Sequence, residues 1–195
     1  MERLLQQIRF FIEIDKLKTI VRQTLLIDKS RKENTAEHSW HAAVMAILLN
    51  EHAKDRCIDV FKVVKMLLIH DIIEIDAGDT FLYDEKETKT KKLRENKAAD
   101  RIFNLLPLDQ AEEFRSLWDE FEEKDTPEAR FAASIDRLAP IIHNVNTSGG
   151  TWSEHGVTSR QVIAKTGNIE NGSPILWEFA RKLIDDSVSK GILTP

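Results

Sequence analysis

The sequence predicts an all-α, single-domain bundle of about six to eight helices, and three observations predict it. Apolar residues recur at helical rather than alternating spacing along most of the 195 residues. Glycine and proline together number 12 (7 and 5), about half the usual share and too few for a loop-rich β-sandwich or an α/β fold with many glycine turns. Hydrophobic residues make up 42% of the chain, enough for a substantial core, and no repeat, low-complexity tract or composition shift marks a linker.

The elements follow in order. Leu4, Leu5, Ile8, Phe11 and Ile12 place one apolar stripe along a first helix, although IRFFIEI within it is ambiguous with a strand. Asn34 and, three residues on, Glu37 form a capping box that starts a second helix, whose interior Ala42 to Leu49 is almost wholly apolar. Asp59 caps a third, with Val60, Val63, Val64, Leu67 and Leu68 on one face. Gly78 interrupts DIIEIDAGDTF. A mixed-charge helix then runs from about Glu85 to Leu105 and ends before Pro107. Its lysine-rich part, Lys86 to Lys97, is interleaved with Glu87 and Glu95 and is expected to be a solvated face rather than a nucleic-acid patch. Asp109 to Glu123 makes another helix, in which Phe114, Trp118 and Phe121 are expected to be core or dimer contacts. Thr126-Pro127 starts the next, because proline fits a first helical turn. It should run through Asp136 toward His143, with a kink or break at Pro140. Asn146 to Thr158, with Gly149, Gly150 and Gly156, is expected to be a loop, and a last helix spans about Pro174 to Lys190.

Charge and cysteine content exclude several classes. A net charge of −5 argues against a general nucleic-acid binder, which would carry a basic excess. The one cysteine, Cys57, excludes an internal disulfide or a cysteine-based zinc cluster. The longest apolar runs fall short of the ~20 residues of a membrane span. The N-terminus MERLLQQIRFFIEID carries acidic residues and no cleavage-type signal, so a cytoplasmic location is expected.

The residues with chemical potential start at His70-Asp71, at the end of the apolar run LLIHDIIE. A buried ionisable pair is costly unless it is paired or holds a cation. Glu74, four residues after His70, lies on the same side. Alone, the dipeptide could equally cap a helix end or bond local backbone. His38, in the first turn of the second helix, could be a surface or a satisfied core residue. Asp136, mid-helix between Ile135 and Leu138, could be solvated. Together, His38, His70, Asp71 and Asp136 offer two imidazoles and two carboxylates. That set suits one divalent transition-metal ion and disfavours an all-oxygen calcium site.

The order H…HD…D, carried by ENTAEHSWHAA, LLIHDIIEIDAGDT and TPEARFAASIDRLAP, resembles the HD-domain superfamily of metal-dependent phosphohydrolases. Within it, the chain is most similar to the compact branch that includes the 5′-deoxynucleotidases. The resemblance covers about Leu17 to Leu138. It implies one HD domain over 1–195, with a motif-bearing core at about 17–147 and residues 148–195 packed on it. It implies that His38, His70, Asp71 and Asp136 ligate one divalent cation (Mn, Co, Fe, Ni, Zn or Mg). It implies that Glu74 orients or deprotonates the attacking water and that Asp79 protonates the leaving oxygen. It also implies that Arg22 holds the phosphate, a task suited to guanidinium geometry. The loop after Arg22 varies in length, which leaves Arg31 and Lys32 as alternatives. Relatives often carry an aromatic residue soon after this arginine, but here Gln23-Thr24-Leu25-Leu26 follow, so no base or sugar preference is implied.

The function implied is release of phosphate from nucleoside 5′-monophosphates or similar small phosphates, by a homodimer that binds neither nucleic acid nor membrane. The alternatives are a phosphodiesterase or signalling-nucleotide hydrolase, and a non-catalytic, ligand-binding regulatory HD domain. Two-metal diesterases of the superfamily need an extra histidine pair after the HD, and only His143 and His155 follow it here. Regulatory domains typically lose ligands or the acidic pair, whereas Glu74 and Asp79 are both present. Trp152 and His155, in a W-x-E-H-G stretch similar to one in relatives, could form a lid. His41 is a candidate for contact with substrate or for support of His38.

Overall fold

The structure is a computed structural model that describes the backbone of residues 1–195 and the side chains outside 85–89. The chain opens with α1 (Glu2–Ile14), a 3-10 turn (Asp15–Thr19) and a hairpin of β1 (Val21–Leu25) and β2 (Lys32–Asn34). Then come α2 (Thr35–Leu49), a second 3-10 turn (Asn50–His52), α3 (Val60–Ile69) and the single turn α4 (Glu74–Ala77). The longer helices α5 (Glu85–Phe103), α6 (Leu108–Glu123) and α7 (Pro127–Asn146) follow. The chain ends with α8 (Gly150–His155), α9 (Ser159–Thr166), α10 (Ile169–Gly172) and α11 (Pro174–Ser189).

The boundaries rest on local chemistry. Asn34 Oδ1 accepts from the Glu37 amide at 3.0 Å while a Glu37 carboxylate oxygen accepts from the Asn34 amide at 3.1 Å, the reciprocal box expected at the head of α2. Asp59 caps α3 through the Lys62 amide at 3.1 Å, and Thr126 caps α7 through the Ala129 amide at 3.2 Å. α7 is the central strut, contacted by α2, α3, α6, α8, α10, α11 and β1. Its Phe131, Ala132, Ile135 and Leu138 are buried with Val63, Met66 and Leu67 of α3 and with Ala42 and Ala46 of α2. Each large side chain so buried contributes roughly 1.5–3 kcal/mol, and the alanines let the α2 backbone approach closely.

Several expectations are corrected. The hairpin pairs β1 and β2 antiparallel, Val21 opposite Asn34 and Leu25 opposite Lys32. Strands of 5 and 3 residues carry too few positions to show alternation. Of the kink or break expected at Pro140, the break is absent: α7 continues to Asn146, with Leu138, Ala139 and Ile141 buried around the proline. Their packing offsets the roughly 3 kcal/mol that an interior proline costs. The stretch 146–158 is not all loop: Ser148, Gly149 and Gly150 turn the chain at positive φ into α8. Gly149 sits at φ +95°, and a Cβ there would stand 2.8 Å from the Ile192 carbonyl oxygen, so only glycine fits. α9, started by a Thr158–Gln161 capping box, and α10 also lie where no helix was expected.

Two surfaces differ from the reading of their patterns. Leu4, Leu5, Ile8, Phe11 and Ile12 form their stripe on α1, but that stripe is exposed and Phe10 is the buried residue. On α6 the core reading of the aromatic residues holds: Trp118 and Phe121 are buried, and Phe114 packs edge-on against Phe10 and Phe103. Along α5, Lys91 and Glu95 pair at 3.3 Å and line a pocket rather than a solvated face. The side chains of Lys86, Glu87 and Lys89, from the same expected face, lie outside the described residues. Among the described residues no helix is long and apolar enough to cross a membrane. Cys57 is an exposed free thiol.

Candidate metal centre

Three helices, α2, the end of α3 and α7, deliver the candidate ligands to one place. The cap at Asn34 sets the first turn of α2 and thereby His38. α3 ends at His70, so Asp71 leaves the helix as the chain bends into α4, which starts at Glu74. α7 supplies Asp136 from its buried face. Gly78, at φ +75° and ψ 154°, then turns the chain so that Asp79 comes back over the same site, a backbone conformation open essentially to glycine alone. Arg22 arrives from β1.

The distances are short. His38 Nε2 lies 3.0 Å from Asp136 Oδ1 and 4.0 Å from Asp71 Oδ2. His70 Nε2 lies 3.2 Å from Asp71 Oδ2 and 3.7 Å from Asp136 Oδ1. His38, His70 and Asp71 each offer a ligand atom within 4.8 Å of the others. Two details bear on whether these residues fit a cation. The His70 Nδ1–H donates to the Leu67 carbonyl at 2.9 Å, since a carbonyl only accepts, so in the neutral ring, the form that ligates a cation, Nε2 is the lone pair. That Nε2 is buried and has no hydrogen-bond partner. A buried, partnerless acceptor facing two carboxylates is the arrangement a divalent cation satisfies, and the N2O2 donor set suits a transition metal. The Trp118 indole N–H, bonded to the His70 carbonyl at 3.2 Å, holds the helix end in place.

The field around these groups is uneven. Burial opposes charge on Asp71, Glu74, Asp79 and Asp136. At Asp136 it is outweighed by Arg137, His38 and His70, which hold the carboxyl well below its ordinary range. At Asp71 it is outweighed by His70 and Arg22, again lowering the carboxyl. Glu74 goes the other way: burial and the neighbouring Asp71 push it well above the usual carboxylate value. Burial likewise raises Asp79, although Arg22 pulls against it. Carboxyls whose environments drive them apart are the pattern of an acid–base site.

All seven expected residues therefore meet. Arg22 donates to Asp71 Oδ2 at 2.8 Å and stands 4.0 Å from Glu74 and 3.9 Å from Asp79. Its Nε is buried and without a hydrogen-bond partner. Glu74 accepts from the Thr35 hydroxyl at 2.9 Å. Arg31 pairs with Glu37 at 2.6 Å and Lys32 with Gln23 at 2.8 Å, so the alternatives to Arg22 point elsewhere. The centre opens on a pocket lined by His70, Asp71, Glu74, Asp79, Arg22 and Asp136 together with Lys91, Arg137, Phe81, Tyr83 and Trp152. Trp152 is buried in that wall, whereas His155 is exposed with its ring 4.5 Å from that of Phe81.

Sequence reasoning missed Glu33, Lys91 and Arg137. Glu33, on β2 and 2% exposed, turns Oε2 toward His38 Nδ1 at 3.6 Å and Arg22 Nε at 3.9 Å. Burial pushes its carboxyl up, but His38, His143 and Arg22 outweigh that and hold it below its ordinary value. A carboxylate on the Nδ1 side would favour the Nδ1–H tautomer when a cation is bound, turning Nε2, here hydrogen-bonded to Asp136 at 3.0 Å, into a ligand.

Comparison with known proteins shows the family. A family model described as HD domain matches residues 14–177. The chain is 33% identical over 114 residues to 5′-deoxynucleotidase HDDC2 of Homo sapiens, covering 57% of this chain and 53% of the relative. It is 31% identical over 138 residues to the Mus musculus protein of the same name, covering 69% and 66%. The chain thus spans about half to two thirds of the length of these curated relatives. Among solved structures, a predicted metal-dependent phosphohydrolase from Magnetospirillum magnetotacticum MS-1 superposes with a TM-score of 0.94 at 54% identity, covering 100% of both chains. A conserved hypothetical protein from Pyrococcus furiosus has a TM-score of 0.64 at 24% identity over 92% of this chain and 98% of its own, which bears on the fold alone. With that match running from the end of α1 into α11, and with the motifs ENTAEHSWHAA and LLIHDIIEIDAGDT at its centre, the chain belongs to the HD domain family.

Proposed function

We propose that the protein is a divalent-metal-dependent phosphomonoesterase that releases phosphate from nucleoside 5′-monophosphates or similar small phosphates. The observation that carries this reading is the buried, partnerless His70 Nε2 beside His38, Asp71 and Asp136, at the floor of a pocket lined by Arg22, Lys91 and Arg137. His38, His70, Asp71 and Asp136 would hold the cation, whose chemistry when bound would be Lewis acidity toward water and the phosphoryl group. The names of the curated relatives support the substrate class, and the aromatic faces of Phe81, Tyr83 and Trp152 in the pocket wall suit a nucleobase.

The side chains divide the work. Arg22, whose guanidinium lines the pocket beside Asp71, binds a phosphate oxygen. Glu74, oriented by Thr35 and with its proton affinity raised by burial, takes the proton of the attacking water. As water adds to phosphorus the ester P–O bond breaks. Asp79, also raised, gives its proton to the departing oxygen.

The test is phosphate release from a panel of nucleotides and sugar phosphates by chelated protein, with Mn, Co, Mg, Ni or Zn restored singly. Release should require metal. Asp71→Ala should bind one equivalent less and lose on the order of 10³-fold in turnover, since a Lewis acid supplies several kcal/mol of transition-state stabilisation. Undiminished release after chelation, or hydrolysis of diesters but not of monoesters, would overturn the proposal.

A further inference from the structure

Behind His38, on the side away from the pocket, lies a second cluster made of Glu33, His41 and His143. His41 follows His38 by three residues on α2, and His143 follows Asp136 by seven on α7, two turns along the same face. The facing helices therefore carry two layers of nitrogen and oxygen donors, with Glu33 between them. Glu33 Oε2 addresses His38, while Oε1 addresses His143 Nε2 at 3.9 Å. The His41 and His143 rings meet edge-on, 5.5 Å between centroids and 89° between planes. One ligand atom from each of the three residues lies within 4.8 Å of the other two.

The tautomer of His143 is set by its own backbone. Nδ1–H donates to the Ala139 carbonyl at 2.9 Å, so in the neutral ring Nε2 is a lone pair. It faces a carboxylate oxygen. Two acceptors turned toward each other in a buried place need a positive charge between them, because the Glu33 and His143 side chains are only 3% and 4% exposed. Arg22 is a poor source of that charge: its hydrogen bond goes to Asp71, it lies within 4.0 Å of Glu74 and Asp79, and it is 3.9 Å from Glu33. The same device, an Nδ1–H fixed to a backbone carbonyl and an Nε2 turned to a carboxylate, builds the centre around His70.

We propose that Glu33, His41 and His143 form a second divalent-cation site that takes a transition-metal ion such as Zn²⁺ or Co²⁺. Two imidazoles and one carboxylate are a donor set these ions accept. Bonds of about 2.1 Å put tetrahedral donors roughly 3.4 Å apart, so a small inward rotation of the rings closes the site. Half-buried His41 gives the ion its entry path. None of the three residues lines the substrate pocket, so the site is structural: it ties β2, α2 and α7 together and holds Glu33 against His38.

The experiment counts metal in the full chain after chelation and dialysis against Zn²⁺ or Co²⁺. Wild type should hold two equivalents, Asp71→Ala one, His41→Ala one, and the double variant none. His41 is chosen because it is half-buried, and circular dichroism checks that each variant is folded. As a second readout, Zn²⁺ should raise the Tm of Asp71→Ala but not that of the double variant. One equivalent in wild type, lost in Asp71→Ala and kept in His41→Ala, overturns the second site and leaves the catalytic reading standing. One equivalent kept in Asp71→Ala and lost in His41→Ala supports the second site and overturns the catalytic one.

Discussion

Along the seam between α2 and α7, His70, Asp71 and Asp136 line a pocket, whereas Glu33, His41 and His143, one layer further along, lie outside its lining. The two clusters share their construction. In each, a histidine is locked by an Nδ1–H bond to the carbonyl of a residue three or four positions back, and its Nε2 faces a carboxylate. They differ in what else is present. The first has Arg22, Arg137 and Lys91 around an opening, and carboxyls pushed both up and down by their neighbours. The second has neither cations around an opening nor a pair of opposed carboxyls. On the proposed reading, what separates the two clusters is not ligand chemistry but a nearby cavity with cationic side chains and a carboxyl kept ready to take a proton.

Glu74 is where that difference can be broken most sharply. It holds no place in the second cluster and contributes no expected ligand to the first. Glu74→Ala should keep the metal content of wild type and lose about 10²–10⁴-fold in kcat, the usual worth of a general base. Metal analysis and initial rates on one protein sample check both halves. Full activity with metal retained would reduce Glu74 to a partner of Thr35.

Glu33 joins the two layers, so its removal should be felt in both. Glu33→Gln keeps the volume and removes the charge. It should lower metal affinity at the first centre by about 10–100-fold, because a carboxylate behind a ligating imidazole orients the ring and raises its basicity. It should also abolish the second equivalent. His41→Ala, by contrast, should leave affinity at the first centre within a few-fold of wild type. Competition titration with a chromophoric chelator separates these outcomes, and equal behaviour of the two variants would mean that Glu33 acts on one layer only.

What was legible in the sequence were the parts with local causes. His70-Asp71 closes an apolar run, Asp136 sits between Ile135 and Leu138, and the caps at Asn34, Asp59 and Thr126 each need only three residues of context. Glu33 was invisible because an acid just before a cap looks like any solvated residue. Its burial depends on His143, 110 positions later, arriving from α7. Lys91 was lost in a charge-rich helix, since periodicity says nothing about which charged face meets a cavity. The α1 stripe shows the same limit from the apolar side: spacing predicted the helix correctly, but not that Leu4, Ile8 and Phe11 would stay exposed while Phe10 turns inward. The hairpin that presents Arg22 is too short to carry a pattern, and only the family resemblance singled that arginine out.

The smallest effect expected concerns how rigidly the two layers move together. Asn34 caps α2 by accepting from the Glu37 amide, and α2 carries both His38 and His41. Asn34→Ala removes that acceptor and should cost about 1 kcal/mol of unfolding free energy, while Asn34→Gly should cost only a few tenths. For a chain of 195 residues the alanine loss corresponds to roughly 2–4 °C in Tm. The helix beyond its first turn is held by Ala42, Ala43 and Ala46, all buried, so the cap sets where α2 starts and not whether it forms. His38, in the first turn, is closer to the lost cap than His41, yet both ride on the same packed face. Both metal equivalents should therefore survive, with affinities shifted by similar small factors. Differential scanning calorimetry on the chelated chain measures the first quantity and metal titration the second. A variant that lost metal from the pocket-side centre alone would show that the first turn of α2 bends independently of the rest, and that the two layers are neighbours without being one rigid unit.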